Sequence, residues 1–224
     1  ERAAFHLAEL TGKKIVLASD LVAATWDQQA FVAYSSALKS LAIKLNKIAS
    51  DLRLMASGPR AGLFEINLPA LQPGSSIMPG KVNPVIPELM SLICFRIIGN
   101  DLTVTMAAEN GDLELNAFEP VEGLAIFQSQ ELFVSGMKTF RTSCIDGITV
   151  NPTVLSTDID RSVGIVTALN TMIGYDRATE LAKEALATNK GILEIIREKK
   201  VLTEAQIKQL LDPATLTGVD PANY

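Results

Sequence analysis

From Asp20 to Ser57 the chain runs without a proline or a glycine, and Leu21, Ala24, Phe31, Tyr34, Leu38, Leu41, Leu45, Ile48 and Leu52 recur along it in helical register. That spacing predicts one very long helix. A helix far beyond the ~11-residue mean cannot be covered by a small globule, so it requires companions of similar length. Two candidates follow. Val85 to Asn110 carries Leu89, Ile93, Ile97 and Val104, with an interruption expected at Gly99, and Ala117 to Ile145 carries Val121, Leu124, Phe127, Leu132, Val134 and Phe140. The expected fold is all-α, built on a long up-and-down helical bundle.

Small residues recur among the large ones, as in Ser35-Ser36-Ala37 and Met106-Ala107-Ala108, which permits close approach on more than one helix face. Three long helices then carry more apolar surface than the chain can cover alone, and an obligate oligomer is expected. Hydrophobic residues make up 48% of the chain and aromatic ones only 5%, so the apolar content is aliphatic. No uninterrupted apolar run approaches the ~18 residues of a membrane span, and no membrane association is expected. The net charge of -5 comes from 20 basic and 25 acidic residues spread along the chain, without the basic stripe that nucleic acid would need. Cys94 and Cys144 sit in apolar helical context without metal-ligand spacing and read as buried, reduced thiols, in keeping with a cytoplasmic protein.

After Gly147 the texture changes to short elements punctuated by Asn151-Pro152, Gly164, Gly174, Gly191 and Pro213, with helices expected near Asp158 to Met172, Asp176 to Asn189, Ile192 to Lys199 and Thr203 to Leu211. Thr203 with Gln206 three residues later fits a capping box. The organisation expected is a bundle portion over 1–147 and a small helical domain over 148–224.

Between the first two long helices lies Gly74-Ser75-Ser76-Ile77-Met78-Pro79-Gly80-Lys81-Val82-Asn83-Pro84, which packs a hinge, two hydroxyls, a cation and an amide into eleven residues. Gly74 and Gly80 open backbone angles closed to other residues, while Pro79 and Pro84 fix φ and withhold N–H groups, so the stretch reads as a loop. Lys81 and Asn83 together suit a carboxylate held near the hydroxyls of Ser75 and Ser76. A small acid is the implied ligand.

This segment reproduces G-S-S-x-M-P-x-K-x-N-P, and the chain resembles the fumarase/aspartase superfamily over nearly its whole length, through Ser57-Gly58-Pro59-Arg60-Ala61-Gly62, Ile98-Gly99-Asn100-Asp101, Thr105-Met106-Ala107-Ala108-Glu109 and Leu115-Asn116-Ala117-Phe118-Glu119-Pro120. The resemblance implies a homotetramer whose long helices share a core, active sites built from three subunits, a dicarboxylate or amino-acid substrate, and no organic cofactor. Two further active-site segments of the superfamily have no counterpart here, so the chain resembles the C-terminal portion only and is expected to be inactive alone. Asp101 and Met106-Ala107-Ala108-Glu109 are similar to aspartases rather than fumarases, which implies elimination of ammonia from L-aspartate to give fumarate. The alternatives are a fumarate hydratase and a bundle retained only as an oligomerisation scaffold.

Elimination requires removal of a weakly acidic proton beside a carboxylate, so a base and preset donors are both needed. The resemblance makes Ser75 that base; from the residues alone Ser76 is its rival. Lys81 and the turn N–H groups through Met78 would stabilise the alkoxide, Lys81 and Asn83 would hold the substrate carboxylate beside Ser76, and Met78 would shape the pocket. Glu88, at a helix start where a carboxylate is favoured by the dipole, also corresponds to the glutamate that orients an upstream histidine in the family. His6 reads as an ordinary helix residue. Asp112, Glu114, Glu119 and Glu122 form an acidic run expected to be solvated, and no metal is expected to be required.

Overall fold

A computed structural model of the chain describes residues 1–72, 78 and 81–218. It forms two compact units, Glu1–Thr149 and Val150–Tyr224.

The first unit opens with α1 (Arg2–Thr11) and the short α2 (Ala23–Trp26), followed by the long α3 (Gln29–Met55). β1 (Ile66–Asn67) lies in the connection to α4 (Val85–Glu109), α5 (Glu119–Ser143) returns, and β2 (Thr149–Val150) pairs with β1. Ser35 and Lys39, early in α3, reach Asp101, late in α4. Asn100 in turn donates to the Ala125 carbonyl and to Ser129, early in α5. Successive helices are therefore antiparallel, and α4 packs against both neighbours while α3 and α5 barely meet.

The expected single helix from Asp20 to Ser57 is in fact two. The Asp20 carboxylate accepts the N–H groups of Val22 and Ala23 at 2.9 and 3.0 Å, capping α2. Asp27, extended at ψ 110°, ends α2 and accepts from the Gln29 N–H at 2.9 Å, which starts α3. Apolar spacing continues through this break, so periodicity cannot register it. Gly99, by contrast, does not interrupt α4: the helix runs through, and a Cβ there would meet nothing within 4 Å.

The seams are made by small residues. α3 turns Ser35, Ala42 and Ala49, each one heptad apart, toward α4, and packing continues through Cys94, Ile97 and Met90. On the other side a Cβ at Gly136 of α5 would stand 2.6 Å from Ile93 Cδ1, so the glycine leaves room for the end of that side chain. Asp101 is the polar pin of the α3–α4 seam: Lys39 Nζ bonds one carboxylate oxygen at 2.5 Å and Ser35 Oγ donates to the other at 2.9 Å. By length and composition α4 falls in the range of a membrane span, with mean hydropathy 1.3 over its most apolar window, a property that counting uninterrupted apolar residues did not register. It is flanked by two helices and carries Asp101 inward, as a core helix does.

The second unit consists of α6 (Pro152–Arg161), a 3₁₀ turn at Val163–Ile165, α7 (Val166–Ile173), α8 (Tyr175–Thr188), α9 (Ile192–Glu198), α10 (Glu204–Leu210) and α11 (Pro213–Thr217). Its core is aliphatic, centred on Leu169, Leu181, Ile192, Leu193, Ile196 and Ile207. The helix expected from Asp158 to Met172 splits at Ser162, which is extended at ψ 125° and accepts the Gly164 N–H on its hydroxyl at 3.1 Å. Pro152 begins α6 rather than breaking a helix, because the first turn has no use for its missing N–H. Thr203 and Gln206 do form the reciprocal capping box at the start of α10.

The asymmetry of the polar pin gives a test. Asp101 is almost fully enclosed, whereas Lys39 is about one-third exposed. Lys39→Met leaves a buried carboxylate without its cation and is expected to cost about 2–4 kcal/mol in chemical denaturation. Asp101→Asn releases Lys39 to solvent and keeps the Ser35 bond, for a cost of about 1 kcal/mol. Equal losses in the two variants would contradict this assignment.

Candidate functional site

The connection between α3 and α4 is wound tightly before it reaches the signature segment. Ser57, just past α3, accepts from the Leu63 N–H on its hydroxyl at 3.1 Å and from the Phe64 N–H on its carbonyl at 2.7 Å. The Glu65 N–H then returns to the Met55 carbonyl at 2.9 Å. A Cβ at Gly62 would lie 2.4 Å from the Ser57 carbonyl, so only glycine closes this reversal. That is the structural reason for Ser57-Gly58-Pro59-Arg60-Ala61-Gly62, a segment the sequence flagged without a role. It delivers the chain to β1, where Ile66 is buried in the core of the three-helix unit.

Of the residues singled out from sequence, Ser75 and Ser76 lie outside the described residues. Met78 is exposed, and its carbonyl accepts the Lys81 N–H at 3.2 Å in a turn. Lys81 is exposed and Asn83 half-buried. The Asn83 carbonyl accepts from the Val85 N–H at 2.9 Å and that of Pro84 from the Glu88 N–H at 3.1 Å, so Asn83 is carried at the very start of α4. Glu88 lies in the first turn of α4 and is exposed. Pro87 and Met90 are buried beside it, so the helix start that carries Lys81, Asn83 and Glu88 is rooted in the core. Cation, amide and carboxylate thus lie close together in sequence, at and just before the start of α4.

The remaining candidates fall into place as bystanders. His6 is exposed on α1 and faces Glu9 at 3.3 Å. Cys94 and Cys144 are buried, and burial pushes both thiols up, which removes the thiolate that a nucleophile would need. Among the described residues no group of three histidine, cysteine or carboxylate side chains converges to hold a metal.

One member of the acidic run departs from expectation. Asp112, Glu114 and Glu119 are exposed, but Glu122 is fully buried at the α4–α5 turn. Asn116 organises that turn, donating to the Ala107 carbonyl at 3.0 Å and to Glu122 at 3.3 Å while accepting the Phe118 N–H at 2.8 Å. The second Glu122 oxygen has no partner among the described residues. A run of acidic letters does not reveal that one of them points inward.

Comparison with known proteins places this geometry. A lyase family model matches residues 1–99 and a fumarase C C-terminus model matches residues 165–218. The chain belongs to the fumarase/aspartase superfamily. It is 49% identical over 210 residues to an aspartate ammonia-lyase of Helicobacter pylori, covering 94% of this chain and 45% of that protein. It is 51% identical over 211 residues to one of Pseudomonas canavaninivorans, covering 94% and 44%. Among solved structures, a fumarate lyase:delta crystallin from Brucella melitensis bound to cobalt superposes with TM-score 0.86 at 47% identity, over 96% of this chain and 46% of that one. A class II fumarase from Schistosoma mansoni superposes with TM-score 0.81 at 32% identity, over 94% and 47%. The chain therefore spans about half the length of the relatives it matches.

Burial pushes the Glu122 carboxyl up, the charge of Glu119 adds to this, and the Asn116 hydrogen bond offsets only part of it. The folded state thus favours the neutral form, and ionisation costs stability as pH rises above the unfolded carboxyl value near ~4.3. Glu122→Gln is expected to raise the thermal midpoint at neutral pH, with the gain shrinking as pH falls toward about 4. A variant less stable than the parent at neutral pH would contradict the upward direction of the Glu122 shift.

Proposed function

We propose that the chain is the C-terminal portion of an ammonia-lyase that converts L-aspartate to fumarate and ammonia. The observation that carries this reading is the complete signature segment, Gly74 to Pro84, in a chain about half identical to aspartate ammonia-lyases along 94% of its length. Ser75 acts as the base. Its alkoxide, held by Lys81 and turn N–H groups, takes a proton from the carbon beside the substrate's distal carboxylate. The electron pair left on that carbon is shared with the carboxylate, whose growing charge Lys81 and Asn83 hold. It then forms the new double bond as the neighbouring carbon–nitrogen bond breaks and ammonia departs. Met78 shapes the pocket, Ser76 contributes to substrate binding, and Glu88 orients a histidine from the part of the enzyme beyond this chain. The assembly is a cytoplasmic homotetramer in which the long helices of several copies pack together.

Its outward faces support that assembly. α4 exposes Leu92, Phe95, Leu102 and Met106, and α5 exposes Leu124, Phe127 and Val134, with Phe127 69% exposed. Fumarate hydratase is the second reading, favoured by the superposition on a fumarase, but at 32% that identity is well below the values found with aspartate ammonia-lyases. A purely structural role is disfavoured because Ser75, Lys81 and Asn83 are all intact.

In the full-length protein, Ser75→Ala is expected to lower kcat on L-aspartate by about 10²–10⁴-fold while assembly is unchanged, because it removes a base from a loop and leaves the bundle untouched. A dead Ser76→Ala beside an active Ser75→Ala would move the base to the adjacent hydroxyl. Turnover of L-malate without turnover of L-aspartate would replace the reading with the hydratase.

A further inference from the structure

We propose that Asn110-Gly111, just past α4, is a site of spontaneous covalent modification, at which the asparagine loses its side-chain nitrogen as ammonia and becomes aspartate or isoaspartate. The proposal is independent of the elimination and of the role given to Ser75. Of the asparagines in the chain, only Asn110 precedes a glycine. A side chain on the following residue would crowd the backbone nitrogen, and glycine leaves it open. Asn110 is the exposed C-cap of α4, and Gly111 is half-buried. The Gly111 N–H meets no acceptor among the described residues. The Ala107 carbonyl, its partner had the helix continued, instead accepts the Asn116 amide at 3.0 Å. The nucleophile is therefore free of any helical bond.

The Gly111 nitrogen gives up its proton and attacks Asn110 Cγ, forming a C–N bond that closes a succinimide ring. The Cγ–Nδ2 bond breaks, and the side-chain nitrogen leaves as ammonia with that proton. Water then adds across one of the two ring C–N bonds. Opening at Cγ leaves aspartate in an unaltered backbone, and opening at the main-chain carbonyl leaves isoaspartate, whose backbone runs through the former side chain. One restraint opposes closure: Asn110 Nδ2 donates to the Met106 carbonyl at 2.8 Å, with ψ at 8°. Releasing it amounts to fraying a helix end, which takes little free energy.

The products bear on the turn that holds Glu122. Gly111 lies directly against Asn116, where an added Cβ would stand 3.1 Å from Asn116 Cγ and Nδ2. Isoaspartate lengthens the main chain at this point, in a turn that already holds Glu114 at φ 68° and closes through the Leu115 N–H to the Asp112 carbonyl at 3.2 Å. Aspartate loses the amide that donated to Met106 and places a negative charge at the C-terminal end of α4, where the helix dipole disfavours it. Either product weakens the turn organised by Asn116.

The test is timed incubation of the full-length protein at mildly alkaline pH and physiological temperature, beside a synthetic peptide of residues 108–113 in the same buffer. Peptide mapping by mass spectrometry follows the amide-to-acid exchange at each asparagine, and enzymatic methylation counts isoaspartate. We expect Asn110 to convert before any other asparagine, at a rate within about 30-fold of the peptide's, since one hydrogen bond and a frayed turn are all that restrain it. Isoaspartate should appear at that position, and the thermal midpoint should fall as it accumulates. Asn110→Gln, whose longer side chain cannot close the same ring, should show neither change. Conversion slower than that range, or earlier conversion at another asparagine, would overturn the site. A midpoint that stays level in converted protein, or falls equally in Asn110→Gln, would overturn its effect on the turn.

Discussion

The close approach of α4 to its two neighbours is the constraint on which the rest of the first unit depends. Ser35, Ala42 and Ala49 on one side and Gly136 on the other let three helices of about 25 residues lie nearly in contact along their length. A methylene added at such a seam must be met by a shift of a neighbouring side chain or of the helix. The Lys39–Asp101 pair with its serine donors, and Asn100 with Ala125 and Ser129, then fix the register along both seams. An unpaired carboxylate there would cost far more than a lost apolar contact, so these groups define which residues face one another.

That rigidity is what the candidate site borrows. The signature segment is suspended between β1, whose Ile66 is in the core, and the first turn of α4, whose Pro87 and Met90 are buried. Functional groups placed at the ends of well-anchored elements are held more closely than groups in the middle of a long loop. Lys81, Asn83 and Glu88 enjoy that support from α4, and the tight reversal closed by Ser57 and Gly62 supplies it on the other flank. On the proposed reading, the long helices serve as a frame for chemistry carried by a few residues at one end.

Much of this was legible in the sequence, and the reasons for the rest are specific. Long apolar periodicity identified α3, α4 and α5, and Thr203 with Gln206 marked the start of α10. The break at Asp27 escaped because apolar spacing continues across it, and the signal lay in a carboxylate able to cap the next N–H groups. The faces were harder. Leu41, Ile48, Leu124 and Phe127 belong to the apolar repeats of their helices, yet all are exposed, while Ser35, Ala42, Ala49 and Gly136 lie in the intrachain seams. Periodicity finds an apolar face without saying whether the same chain or another covers it. Glu122 illustrates the converse, since a charged letter in an acidic run gives no hint that Asn116 draws it inward. The catalytic reading came from motif resemblance, because sequence alone cannot separate the two adjacent hydroxyls of Ser75 and Ser76.

Large aliphatic and aromatic side chains exposed outside a seam of small ones support the proposed assembly, since burying them would gain ~25 cal/mol per Å². Sedimentation velocity of the 224-residue chain across a range of concentrations tests this most directly. The account predicts species well above the 24.1 kDa of one chain, persisting on dilution to low micromolar concentration. A monodisperse 24.1 kDa monomer over the whole range would contradict it.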